Sequence, residues 1–254
     1  MIAVYVLFAI FGLCIGSFLN VVIYRLPNGM SLSFPPSHCT KCDYKLRWYD
    51  NVPILSYLFL GGKCRKCKEK ISFRYPAVEC LCGVLYLISA MLFYKKSIAY
   101  AVVCALALSV LICVFFIDLE HMYVPDRFQV ILLVLGIVAM FFDEVVWWEH
   151  LLGGALGGGL FLIIYLGAIV FLKKEGLGFG DVKLAFVCGV LLGWKKIFLA
   201  IIIASLSACI VIIPKSRKGE QKEFPFAPYI ALGVAVALLI GEFIIKWYLG
   251  LMVV

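Results

Sequence analysis

Apolar residues run along this chain in long unbroken blocks, without the alternation of a half-buried strand or the stripe of a surface helix. The blocks fall near 2 to 23, 77 to 94, 97 to 117, 128 to 142, 151 to 172 and 226 to 246. About 20 apolar residues in a helix cross the hydrocarbon core of a bilayer, so the blocks predict spanning helices. The stretch 184 to 213 is also apolar, but Trp194-Lys195-Lys196 interrupts it and predicts two short helices, giving eight spans. The only sizeable polar insertion is 25 to 76. At about fifty residues it is too small for an independent hydrophobic core and large enough for a metal-stapled domain. The expected fold is an all-α polytopic membrane protein of about eight transmembrane helices, organised as a first helix (1–24), a loop domain (25–76) and a membrane core (77–254).

Composition agrees: 65% of the 254 residues are hydrophobic and 15% are charged, where roughly a quarter is usual. The first block has no basic residues before it and no small-residue cleavage site after it, so it is expected to stay as an anchor rather than leave as a signal peptide. Orientation follows the basic residues. Arg25, Lys41, Lys45, Arg47, Lys63, Arg65, Lys66, Lys68, Lys70 and Arg74 crowd the polar insertion against Asp43, Asp50 and Glu69, which places it in the cytosol and the N-terminus outside. Eight spans then put Lys173, Lys174, Lys183 and the Lys215 to Lys222 segment inside, leaving Lys95, Lys96, Lys195, Lys196 and Lys246 outside. The net charge of +8 reads as a topology signal and an attraction to anionic lipid. No nucleic-acid partner is expected, because no spare soluble domain would carry it. Gly153, Gly154, Gly157, Gly158 and Gly159 form a small-residue face for close helix packing.

Cys39-x2-Cys42 and Cys64-x2-Cys67 stand 21 residues apart, the spacing of two zinc knuckles that together give four thiolates. Two disulfides are the alternative, disfavoured in a cytosolic loop. With no open position suggested, the zinc is structural. His38 adjoins the first knuckle and reads as a solvated loop histidine. The other seven cysteines, Cys14, Cys80, Cys82, Cys104, Cys113, Cys188 and Cys209, read as small buried hydrophobes.

Ionisable groups at membrane depth are costly and mark function. Asp118 ends the third span, and Asp181 follows Gly176-Leu177-Gly178-Phe179-Gly180 just before the sixth. Spans four and five form a hairpin between them, so topology returns both carboxylates to one face. Two adjacent carboxylates share a proton, and such a pair can activate water against a peptide carbonyl while protonating its other side. The bare alternative is that Asp118 ends a helix and Asp181 caps the next. Asp126 after Pro125 is expected to cap span four, Glu79 to pair with Arg74 or line a polar cavity, and Asp143, Glu144 and Glu149 to be solvated outer-loop charges. A partner-docking scaffold and a proton-relaying transporter are the non-peptidase alternatives.

The residues resemble the type IV prepilin peptidase family of competence, pilus and type II secretion systems. Matching pieces are Gly16-Ser17-Phe18-Leu19-Asn20 through Arg25-Leu26-Pro27, the paired Cys-x2-Cys, Asn51-Val52-Pro53-Ile54-Leu55-Ser56-Tyr57 and Arg74-Tyr75-Pro76 leading to Glu79. Ile117-Asp118-Leu119, Pro125-Asp126, Gly178-Phe179-Gly180-Asp181-Val182-Lys183-Leu184 and Pro225-Phe226-Ala227-Pro228 complete the set. The resemblance implies an aspartic endopeptidase of the bacterial inner membrane with Asp118 and Asp181 catalytic. It implies prepilin and pseudopilin substrates, whose short basic leader is removed at the cytosolic face after a glycine, just before an apolar helix. It also implies N-methylation of the new terminus with S-adenosylmethionine, for which the cysteine loop is held to be needed. No motif here assigns the methyl-donor residues. Thr40 and Ala227 depart from common proline and glycine, without touching an acid or a metal ligand.

Overall fold

The computed structural model describes residues 1–143, 145–172, 177–217 and 224–252. The charges expected at Glu144, Lys173, Lys174, Lys218 and Lys222, and Gly176 of the glycine-rich turn, lie outside these residues. The described residues form helices, short turns and two isolated antiparallel bridges. The chain divides into two compact units, Met1–Lys95 and Lys96–Val254.

The first unit pairs α1 (Ile2–Arg25) with α3 (Arg74–Phe93). Glycine makes that pairing close: a Cβ on Gly12 would stand 2.8 Å from the Cys82 carbonyl oxygen, and one on Gly16 2.8 Å from the Glu79 Cα. Lipid supplies no hydrophobic drive between helices, so such backbone approach and buried polar contacts supply the attraction. Asn20 is one such contact, with its amide donating to the Tyr75 carbonyl at 3.1 Å. Between the two helices lies the polar insertion, with a single 3-10 turn at Trp48–Asn51 and the short α2 (Leu55–Phe59).

The second unit holds α4 (Ile98–His121), α5 (Asp126–Ala139), α6 (Trp147–Gly167), α7 (Phe179–Leu192), α8 (Trp194–Arg217) and α9 (Ala227–Met252). Among the described residues six helices, α1, α3, α4, α6, α8 and α9, are long and apolar enough to cross a membrane. The other two expected spans, α5 and α7, have 14 residues each, about 21 Å at 1.5 Å per residue, short of a ~30 Å hydrocarbon core. Protein shields α7, which is buried almost continuously from Val182 to Leu192. α4 is the most buried of the six long helices. The break expected near Trp194 falls at Gly193, whose φ of +76° suits glycine and lets α8 start afresh.

The glycine face of α6 packs on α7 as its composition predicts: a Cβ on Gly157 would stand 2.7 Å from the Ala185 carbonyl oxygen, and one on Gly154 2.6 Å from Val190 Cγ2. Gly159 departs from this, since a Cβ there would meet nothing within 4 Å. Large apolar side chains such as Phe243 and Ile210 lie about three-quarters exposed, a surface that only a bilayer covers. This is a multi-pass membrane protein.

Two expectations about buried and exposed groups are corrected. Cys82, Cys104, Cys113 and Cys188 are buried, but Cys14, Cys80 and Cys209 are exposed on helix flanks, because a small thiol is as compatible with lipid as with a core. Asp143 and Glu149 are not solvated. The Asp143 carboxylate accepts from the Tyr100 hydroxyl at 3.1 Å and lies 3.9 Å from Lys196 Nζ, and Glu149 faces Lys195 at 3.7 Å. Fully buried His150 completes this group, its Nδ1 3.0 Å from the Val190 carbonyl oxygen. Helix ends gathered at one end of the unit enclose charges that a linear reading leaves in water.

Candidate metal centre and active site

In the first unit each Cys-x2-Cys folds as the same small knuckle. Asp43 N–H donates to the Cys39 carbonyl at 2.9 Å and Cys39 N–H to Tyr44 at 3.0 Å. Lys68 N–H likewise donates to Cys64 at 3.0 Å and Cys64 N–H to Glu69 at 2.8 Å. Asp43 and Lys68, equivalent in the two knuckles, both adopt positive φ. The turns aim the sulfurs inward, and the Sγ atoms of Cys39, Cys42, Cys64 and Cys67 all lie within 4.8 Å of one another. The Cys39–Cys67 and Cys42–Cys64 separations are 3.8 and 4.0 Å. A tetrahedron with metal–sulfur bonds of about 2.3 Å has edges of roughly 3.8 Å, whereas a disulfide bond is about 2.05 Å. The four thiolates thus fit zinc.

Electrostatics favours a cation as well. The Cys67 backbone N–H, working against burial, brings the Cys64 thiol down to about 7. The Glu69 N–H favours the Cys67 thiolate too, but burial and the neighbouring sulfurs push Cys67 up to about 12. A divalent ion among the sulfurs removes that conflict by compensating every thiolate together. His38 stays outside, its Nδ1 3.0 Å from the Pro36 carbonyl oxygen.

Around the knuckles, buried Asp50 accepts from Arg65 Nε at 2.8 Å and from the Arg47 N–H and Tyr44 hydroxyl at 3.2 Å each. Burial alone would raise its pKa, but these donors hold it below the usual aspartate value. Glu79 on α3 caps the loop from the membrane side: its Oε2 accepts the Ile54 N–H at 2.7 Å, across a residue held at φ +59°. The sequence pattern offers Arg74 or a cavity for Glu79, and the backbone of Ile54 is the partner seen.

In the second unit Asp118 lies within the last turn of α4 rather than at its end, and it is 5% exposed. The backbone N–H of Ala227, at the start of α9, lies near enough to act on the Asp118 carboxylate, while Oδ2 is buried with no hydrogen-bond partner among the described residues. Asp181 lies in the first turn of α7, 8% exposed, with the Gly178 N–H near enough to act on its carboxylate. The ends of α4 and α7 bring the two carboxyl groups close enough for the Asp118 charge to act on Asp181. A helix-end cap explains the Gly178 contact and leaves the orphaned oxygen of Asp118 unexplained; a buried unpaired acceptor costs about 1–3 kcal/mol.

Gln129, which the sequence reading passes over, and Ala227, which it wrongly sets apart from the acids, hold this arrangement. Gln129 on α5 donates to the Gly180 carbonyl at 3.3 Å and so fixes the turn bearing Asp181; an amide inside an apolar run is its sequence signal. Ala227 acts through its backbone, which no side-chain pattern reveals. Asp126 does not cap α5, whose N-cap makes no side-chain bond; it pairs with Lys183 of α7 instead.

Residues 105–213, which include both aspartates, match the Type IV leader peptidase family, and residues 10–93, which include all four clustered cysteines, match the Bacterial Peptidase A24 N-terminal domain. The chain belongs to the type IV leader peptidase family. Proteins named prepilin leader peptidase/N-methyltransferase are similar to this leader peptidase along nearly its full length. That of Aeromonas salmonicida (strain A449) is 34% identical, over 95% of this chain and 92% of the relative. That of Pseudomonas aeruginosa is 35% identical, over 94% and 91%, and that of Myxococcus xanthus (strain DK1622) 38%, over 85% and 67%. No solved structure matches the leader peptidase.

Proposed function

We propose that this leader peptidase removes the basic leader of prepilins and pseudopilins after a glycine, with Asp118 and Asp181 as an aspartic pair. The observation that carries this is the orphaned Oδ2 of Asp118, buried beside a second carboxyl group. One carboxylate takes a proton from water as the water attacks the scissile carbonyl. The other gives its proton to the opposite side, and the pair titrates as a unit, so neither role belongs to a fixed residue. Gly178 and Gly180 keep side chains out of the way of an extended backbone approaching Asp181. Zinc held by Cys39, Cys42, Cys64 and Cys67 cross-links the loop domain and supplies folding energy.

The relatives' printed names support a second step, methylation of the new N-terminus with S-adenosylmethionine as donor. The functional parts are then the first helix (1–24), the zinc loop (25–76) and the peptidase core within 77–254. The basic residues of the zinc loop favour a cytosolic face in the inner membrane. Mass spectrometry of a co-expressed prepilin tests the reading, since one spectrum reports both cut and methyl. The expected product is shortened after a glycine and heavier by one methyl group. An intact leader would sink the peptidase, and a cut product without a methyl group would remove the transferase step alone.

A further inference from the structure

A groove of about 640 Å³ opens between α5, α6 and α7, and its lining includes Val182, the residue next to Asp181. Its walls are Val130 and Leu133 of α5, Leu162 of α6 and Phe186 of α7, and its floor includes Gly159. The floor is open because Gly159 turns its hydrogen to empty space, unlike the α6 glycines that meet α7. The groove follows α7 from Phe179 to Val187, about 12 Å at 1.5 Å per residue. Val130 and Phe186 stay half-exposed, so the groove can be entered sideways from the bilayer.

Its mouth is polar and its depth apolar. Asp126 and Lys183 form an ion pair at the mouth, and the Asp126 side chain is 74% exposed. Two features tie the mouth to Asp181: Val182 and Lys183, the next residues of α7, line the groove, and so does Gln129, which holds the Gly180 carbonyl. Whatever fills the groove is therefore aimed at that carboxyl group.

We infer that the α5–α6–α7 groove docks the apolar segment of the substrate that follows the scissile bond. The inference rests on the peptidase reading above. A chain that is apolar after the cut matches hydrocarbon walls open to the bilayer beside the turn that bears Asp181. About 12 Å accommodates some two helical turns of that segment, by the groove-and-helix mode in which apolar anchors recur on one face. The groove thereby fixes the depth of the substrate and which bond reaches the pair. Gly159, Val130 and Leu133 set the bulk it accepts.

Two measurements test this. In the Asp118→Asn background, a photo-crosslinking phenylalanine derivative is placed at position 159, or at 163, where Ile163 is exposed on α6 but outside the groove, and irradiated with prepilin in nanodiscs. The expected adduct at 159 maps to the apolar residues just after the cut, with little from 163. Equal adducts from both positions, or lipid adducts alone at 159, overturn the docking. Separately, Gly159→Trp fills the floor and is compared with wild type on full-length prepilin and on a peptide ending a few residues past the cut. The ratio of kcat/KM for the long substrate over the short one should fall about tenfold, mainly through KM. An unmoved ratio with both substrates cut by wild type overturns the groove alone. A wild-type chain that cuts neither overturns the peptidase reading, and the docking with it.

Discussion

Asp118→Asn separates a catalytic carboxylate from a structural one, because the two roles predict opposite changes in stability. The residue is 5% exposed, lies near the Ala227 N–H, and leaves Oδ2 without a partner among the described residues. An asparagine of the same shape can keep a carbonyl oxygen near the Ala227 N–H while shedding a buried charge. The folded protein should therefore lose nothing, and should gain up to about 1–2 kcal/mol, since removing a buried, poorly paired polar group relieves part of a penalty of that order. Activity should move the other way. General acid–base catalysis contributes roughly 10²–10⁴-fold, equivalent to about 2.7–5.4 kcal/mol of barrier at 1.36 kcal/mol per decade. The assay pairs thermal unfolding in detergent with timed cleavage of purified prepilin. Unchanged or raised Tm with cleavage lost by at least about a hundredfold is the expected result. Cleavage within tenfold of wild type refutes the pair, and a sharply lowered Tm accompanying the loss shows that Asp118 is structural.

The zinc site should dominate the loop: Cys64→Ser is expected to lower bound zinc from about one ion per chain toward none and to abolish hydrogen-exchange protection across 39–71, measured by elemental analysis and exchange mass spectrometry. Asp50 should stabilise the same loop in a pH-dependent way. Its folded pKa lies below the unfolded one, so its contribution is fully present above an unfolded value near 4 and fades as pH falls through the lower folded value. The difference in denaturant midpoint between wild type and Asp50→Asn should accordingly be largest near neutrality and shrink in acid. Helix packing should split the α6 glycines. Gly157→Leu should cost about 1–3 kcal/mol or more by forcing α6 from the Ala185 carbonyl, whereas Gly159→Leu, facing open space, should cost less than about 1 kcal/mol in detergent unfolding.

The sequence by itself determined the solvent, the helices and the cysteine centre. Hydrophobicity sums along a contiguous run, and a four-residue knuckle closes through its own backbone, so both are written locally. Asp118 and Asp181 were conspicuous for the same reason, as charges at the edges of apolar runs. Only the tertiary structure decided which groups meet: Ala227 stands 109 residues beyond Asp118, and its backbone N–H carries no compositional mark. Gln129 on the Gly180 carbonyl, Asp126 on Lys183 and the half-buried group of Asp143 and Lys196 around buried His150 are likewise contacts between separate segments. Their partners follow from how helices lean and rotate against one another. That is a property of packing many side chains at once, whereas the order of residues specifies each helix alone.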